Sequence, residues 1–141
     1  MPQHQQLAEQ ALDSAEVAWL VSKRAAAVRA GDAEYLASRY AAGVVSFGFA
    51  PPLSPYADES PRIEWLRAWF DRFDGRIDYR VEELTVSLAG DLAFCHSRER
   101  FSARRAGRGR RRTEVRLDTT LGLARIGGVW LVTVERVRVV E

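Results

Sequence analysis

Two stretches near the carboxyl end constrain the fold more than any other part of the chain. From Ala93 to Phe101, and again from Val115 to Leu123, ionisable and polar residues recur at every second position. That is the period of an extended strand, whose successive side chains point to opposite faces. The first run places His96, Arg98 and Arg100 on one face. The second places Arg116, Asp118 and Thr120 on one face and Leu117, Leu121 and Leu123 on the other. A turn centred near Arg108 pairs the runs as a hairpin, with Arg98 opposite Asp118, Arg100 opposite Arg116 and His96 opposite Thr120. The shared ionic surface is either a solvated face or the wall of a charged pocket. The leucines behind it favour the solvated reading on pattern alone.

The same logic extends along the chain. Strands are expected from Arg76 to Leu88, Leu92 to Arg105, Thr113 to Ile126 and Val129 to Val140, the last two joined by a tight turn at Gly127-Gly128. Before them, Gln5 to Ala30 reads as a helix with Leu12, Ala15, Trp19 and Ala26 near one stripe, stopped by Gly31. Asp32 caps a shorter helix reaching Tyr40, and a strand follows from Val44 to Phe49. A proline-rich loop then leads to Ser60-Pro61, a cap and first-turn proline. The third helix carries Ile63, Trp65, Leu66, Trp69, Phe70 and Phe73, apolar over more than half its circumference. Helices packed on one face of a curved antiparallel sheet, in one α+β domain spanning residues 1–141, are the expected architecture.

Composition excludes several function classes. With 141 residues, 47% of them hydrophobic, the chain can bury a core without disulfides or metal, and its single cysteine, Cys95, makes neither an internal disulfide nor a thiolate metal site. No apolar run approaches bilayer length, and the first residues lack a signal-peptide layout, so a cytoplasmic protein without membrane association is expected. The arginine-rich segment from Arg104 to Arg112 lacks interleaved aromatics and a docking element. It reads as a solvated hairpin tip rather than a nucleic-acid surface.

Ala30-Gly31-Asp32 at the helix junction, Val44-Val45-Ser46-Phe47 before the proline loop, Ala93 to Ser97, and Gly128 to Thr133 together resemble the nuclear transport factor two-like superfamily, in particular its SnoaL-like and ketosteroid isomerase-like branch. The resemblance implies a cone-shaped, cystatin-like fold whose concave sheet face lines a mainly apolar pocket. It places His96, Arg98, Arg100, Arg116, Asp118, Thr120, Thr133 and Glu135 on that face, against the pattern reading. It also implies a homodimer covering the opposite face, which would account for Leu117, Leu121, Val132 and Val134.

By the same resemblance, the three groups that ketosteroid isomerases use, a base and two oxyanion donors, fall on Gly48, Arg24 and Gly122. The steroid mechanism is therefore not expected. Limonene epoxide hydrolase-like relatives fit better, with Glu135 in the place of the water-activating acid, Arg98 in that of the arginine and Arg100 in that of the second acid. Asp118 could supply the missing carboxyl. The resulting expectation is a cofactor-independent acid–base enzyme, an isomerase, cyclase or epoxide-opening hydrolase, acting on a hydrophobic oxygenated small molecule. Glu135 would be the base, Asp118 the acid, Arg98 the orienting cation and His96 a further acid–base group. Arg100, Arg116, Thr120, Phe47, Trp65 and Phe70 would contact substrate, and no metal is implied. On this view Glu135→Gln should leave folding nearly intact. The alternative is a non-catalytic small-molecule-binding or dimerisation module of the same fold.

Overall fold

The computed structural model describes residues 2–47, 62–107 and 111–140. Its elements run α1 (Pro2–Ala30), α2 (Ala33–Ser38), β1 (Tyr40–Phe47), α3 (Arg62–Phe70), β2 (Phe73–Ala89), β3 (Leu92–Arg105), β4 (Arg112–Ile126) and β5 (Val129–Val139). The anticipated end of the first strand at Phe49, the proline loop and the Ser60-Pro61 helix start lie outside the described residues, as do Arg108 to Arg110 at the hairpin tip.

The five strands form one mixed sheet in the order β1-β5-β4-β3-β2, with β1 parallel to β5 and the others antiparallel. Arg98 pairs with Asp118, Arg100 with Arg116 and His96 with Thr120, the register expected from the alternating pattern. Gly31 ends α1 at φ 68°, a left-handed conformation that only glycine adopts cheaply. The Asp32 carboxylate then caps α2 by accepting the Tyr35 N–H at 3.0 Å.

The buried stripe of α1 differs from expectation. Val17, Val21, Ala25 and Val28 face the sheet, whereas Leu12 and Trp19 are 71% and 58% exposed. Small and β-branched residues let the helix axis approach the strands. Trp19 instead lies outside under the Lys23 ammonium, 5.0 Å from its ring centre.

The helices cover a single face of the sheet, and the core beneath them is divided. One cluster gathers Val28, Leu36, Leu66, Trp69, Ile77, Tyr79, Phe101 and Leu117; the other gathers Val17, Val21, Val44, Cys95, Leu121, Leu123, Trp130 and Val132. On four of the five strands the residues between the clusters are polar: Ser46 on β1, Ser97 and Glu99 on β3, Thr119 on β4 and Glu135 on β5, all buried. Arg24 of α1 sits above them between Val21 and Ala25. A polar belt thus crosses the interior of the sheet.

Candidate functional site

Glu135 joins the belt because of one irregularity on β5. On β5 Trp130 and Val132 face inward, the pairing with β4 then slips between Gly122 and Leu123, and beyond the slip it is Glu135 that faces inward. Thr133 occupies the slip and its hydroxyl donates to the Gly122 carbonyl at 3.1 Å. A bulge of this kind exchanges the faces of every later residue on its strand. Without it Glu135 would point outward and Arg136 and Arg138 inward.

The Glu135 carboxylate is held by three side chains from two elements, α1 and β1. The Arg24 guanidinium ion-pairs with Oε2, the Tyr40 hydroxyl donates to the same oxygen at 2.8 Å, and the Ser46 hydroxyl donates to Oε1 at 2.8 Å. Burial alone would raise this carboxyl's pKa, but Arg24 and the two hydroxyls outweigh it and hold the group below its ordinary value. The same burial, with the neighbouring carboxylate, pushes the Tyr40 hydroxyl far above the ordinary tyrosine range.

Next to this group is a cavity of about 80 Å³. Its walls are the aromatic and aliphatic side chains of Trp65, Trp69, Phe70, Tyr79, Phe101 and Leu117, and Arg24, Tyr40 and Glu135 form its polar part. An apolar chamber with a few convergent polar groups is the usual form of a small-molecule site.

A second carboxyl belongs to the belt. Glu99 is 1% exposed and takes hydrogen bonds from the Ser97 and Thr119 hydroxyls, one on each oxygen. It has no ion-pair partner among the described residues. Burial therefore raises its pKa, only partly opposed by Ser97, Thr119, Arg24 and Tyr79. Two carboxyls thus share one interior under opposite influences.

The structure corrects most of the residue placements drawn from the resemblance. His96, Arg98, Arg100, Arg116, Asp118 and Thr120 all lie on the outer face of the sheet, as the pattern alone suggested. Asp118 pairs there with Arg138 at 3.1 Å, His96 at 3.4 Å and Arg98 at 3.7 Å. These residues come together with one another but not with the cavity, so neither the acid role of Asp118 nor the orienting role of Arg98 has the geometry it needs. Leu117, Leu121 and Val132 are buried under the helices and need no partner chain. Trp65 and Phe70 do line the cavity, as expected. The Phe47 backbone ends β1 opposite Arg136, and its side chain lies outside the described residues.

The groups that sequence reasoning missed are Tyr40, Ser46, Tyr79 and Glu99, with Arg24 noticed only as a departure. Glu99 left a readable signal, because a charged residue sharing the face of Ala93, Cys95 and Phe101 must be buried with partners. With the strand parity corrected, Ser97 and Glu99 take the inward places first given to Arg98 and Arg100. Among the described residues no cluster of three or more His, Cys, Asp or Glu side chains could hold a metal ion, and no helix is long and apolar enough to cross a membrane.

Helices seated in a bent sheet around a chamber define a cone of the nuclear transport factor 2-like, cystatin-like kind. The chain belongs to the SnoaL-like domain family, which matches residues 17–133. Among solved structures it is similar to an NTF2-like protein of unknown function from Pseudomonas putida, at 26% identity over 91% of this chain and 87% of that one, with a TM-score of 0.73. A protein from Kribbella flavida shares the fold at 19% identity, 94% and 93% coverage and a TM-score of 0.76. So does a ketosteroid isomerase-like protein from Erwinia carotovora atroseptica, at 15% identity, 92% and 93% coverage and a TM-score of 0.66. No curated protein matches significantly.

Proposed function

We propose that this chain is a cofactor-independent acid–base enzyme acting on a small apolar molecule that carries a carbonyl or epoxide oxygen. The observation that supports it is the ionised Glu135 carboxylate on the wall of an aromatic cavity, next to Tyr40 and Arg24. Desolvation by such walls strengthens every charge inside. Glu135 takes a proton from the substrate or from an attacking water, and the same proton returns to the product, so no oxidant or reductant is consumed. Arg24 balances the charge while the proton is in transit.

One observation favours a second reading, a ligand-binding module without chemistry. Both oxygens of Glu135 are already occupied by Ser46, Tyr40 and Arg24, so accepting a proton requires one of those bonds to loosen. The two readings separate in heavy water. An acid–base enzyme should exchange α-protons of small cyclic ketones, or open small epoxides, with turnover lost in Glu135→Gln and ligand binding retained in the folded fraction. Binding without exchange or opening by the wild-type protein would select the module.

A homodimer is part of the same proposal, on different residues from those first expected. Val45, Phe94 and Val134 are 47%, 59% and 38% exposed. They lie on the outer face along one cross-strand row, β1 to β5 through Val45 and Val134 and β4 to β3 through Gly122 and Phe94. A two-fold contact would cover this row twice. Phe94→Glu is expected to convert a sedimenting dimer to monomer without unfolding it; a monomeric wild type would remove the proposal.

A further inference from the structure

The outer face of the sheet carries an ionic surface that the cavity does not use, and two of its cross-strand rows differ in kind. In one, Glu83, Arg98, Asp118 and Arg138 lie on successive strands from β2 to β5, alternate in sign and close into ion pairs. The next row along β3 does not alternate. There Arg80, Arg100 and Arg116 stand directly opposite one another on β2, β3 and β4. Adjacent strands are about 4.8 Å apart, and like charges placed opposite each other destabilise a sheet.

The acids nearby offset this repulsion incompletely. Glu82 reaches Arg100 at 3.1 Å and Asp78 reaches Arg80 at 3.4 Å, both as exposed pairs of the kind that contributes little. Arg116 has no ion-pair partner among the described residues. Beside the row, Ser102 sits between Asp78 and Glu114, and its hydroxyl oxygen is buried without a hydrogen-bond partner among the described residues. A groove of about 600 Å³ runs over Asp78, Arg80, Arg100, Ser102, Glu114 and Arg116. Three guanidinium groups in line, one of them unpaired, and an unused hydroxyl are the donors that an anion site needs.

The acids already in the groove select among anions. A carboxylate would replace Glu82 or Asp78 like for like and gain nothing. Linked phosphates carry a charge on every unit, and each guanidinium fork can take two of their oxygens. We propose that the Arg80–Arg100–Arg116 row is a binding site for linked phosphates, those of a free polyphosphate or of a nucleotide, with Arg116 as the anchor and the Ser102 hydroxyl as a further donor. The row lies on the opposite side of the sheet from the cavity and six residues, about 20 Å, along β3 from Phe94, so it depends neither on the acid–base reading nor on the dimer contact.

Calorimetry of the full chain with tripolyphosphate, at fixed pH and ionic strength and without divalent cations, tests this. One equivalent per chain should bind, and citrate should bind about tenfold more weakly or worse. Arg100→Gln and Arg116→Gln should each weaken tripolyphosphate about tenfold, the range of one charged hydrogen-bonded contact. Arg67→Gln removes an equal charge from an exposed pair with Glu34 and should change nothing. Ser102→Ala should weaken binding about two- to tenfold without lowering the urea midpoint, because it deletes an oxygen that the fold leaves unpaired. A nucleoside triphosphate that matches or exceeds tripolyphosphate assigns the site to nucleotides, and one that binds more weakly assigns it to free polyphosphate. Equal binding of citrate, an Arg67→Gln loss as large as that of Arg116→Gln, or no saturable binding overturns the inference and leaves the row a solvated surface. A single-stranded oligonucleotide that binds more tightly than either phosphate probe also overturns it, by assigning the groove to nucleic acid.

Discussion

Glu135→Gln is expected to destabilise the protein by about 3 kcal/mol, because it leaves the Arg24 guanidinium buried opposite a neutral amide. From sequence alone glutamine is a silent replacement, similar in shape and unable only to accept the proton. The structure removes that assumption by placing Arg24 and Glu135 in one buried pair with side chains 16% and 7% exposed. Arg24→Met should cost a similar amount for the converse reason. The double variant should cost clearly less than the two single losses together, since removing both charges also removes the penalty of leaving one unpaired. Urea midpoints of the four proteins measure this, and additive losses would show that the pair is not coupled.

The two carboxyls also give stability opposite pH dependences. Glu135 has a folded pKa below its unfolded one, so its contribution is present above the unfolded value, about 4.3, and disappears as the pH falls through the folded value. Glu99 has a folded pKa above its unfolded one. Its contribution is complete below the unfolded value and declines as the pH rises toward the folded one.

How far the sequence could be read depended on whether a feature had a local cause. The β3–β4 register was legible because alternation over many residues fixes a hairpin once its centre is known. The outward face of Arg98, Arg100 and Asp118 was equally legible in the leucines behind them, and resemblance to relatives misplaced it by one residue. The bulge at Thr133 had no signature, since Val132-Thr133-Val134 is an ordinary strand sequence. Its consequence is nevertheless the site itself, because it alone turns Glu135 inward. Arg24 was obscured in another way. On a helix of this length either of two stripes could face the sheet, and only packing against β2 shows that Val17, Val21 and Ala25 win, carrying Arg24 into the interior.

Phe101→Ala is the other large effect expected, and it couples stability to the cavity. Phe101 is 2% exposed, with ring centres of Trp69 and Phe73 at 5.7 Å and 5.3 Å, and it is also a wall of the chamber. Truncating a phenylalanine packed this way removes its transfer free energy and leaves a void, a loss of about 3–5 kcal/mol. The void does not stand apart from the site. It adjoins the existing chamber of about 80 Å³, so the variant should bind a bulkier apolar ketone than the wild type accepts. Ligand saturation should then return part of the lost stability, by an amount that grows with ligand concentration. Thermal unfolding with and without the larger ketone measures both effects at once. Lost stability with no gain in capacity for the larger ligand would mean that the aromatic cluster had collapsed into the space, and that Trp69 and Phe73, rather than Phe101, set the size of the chamber.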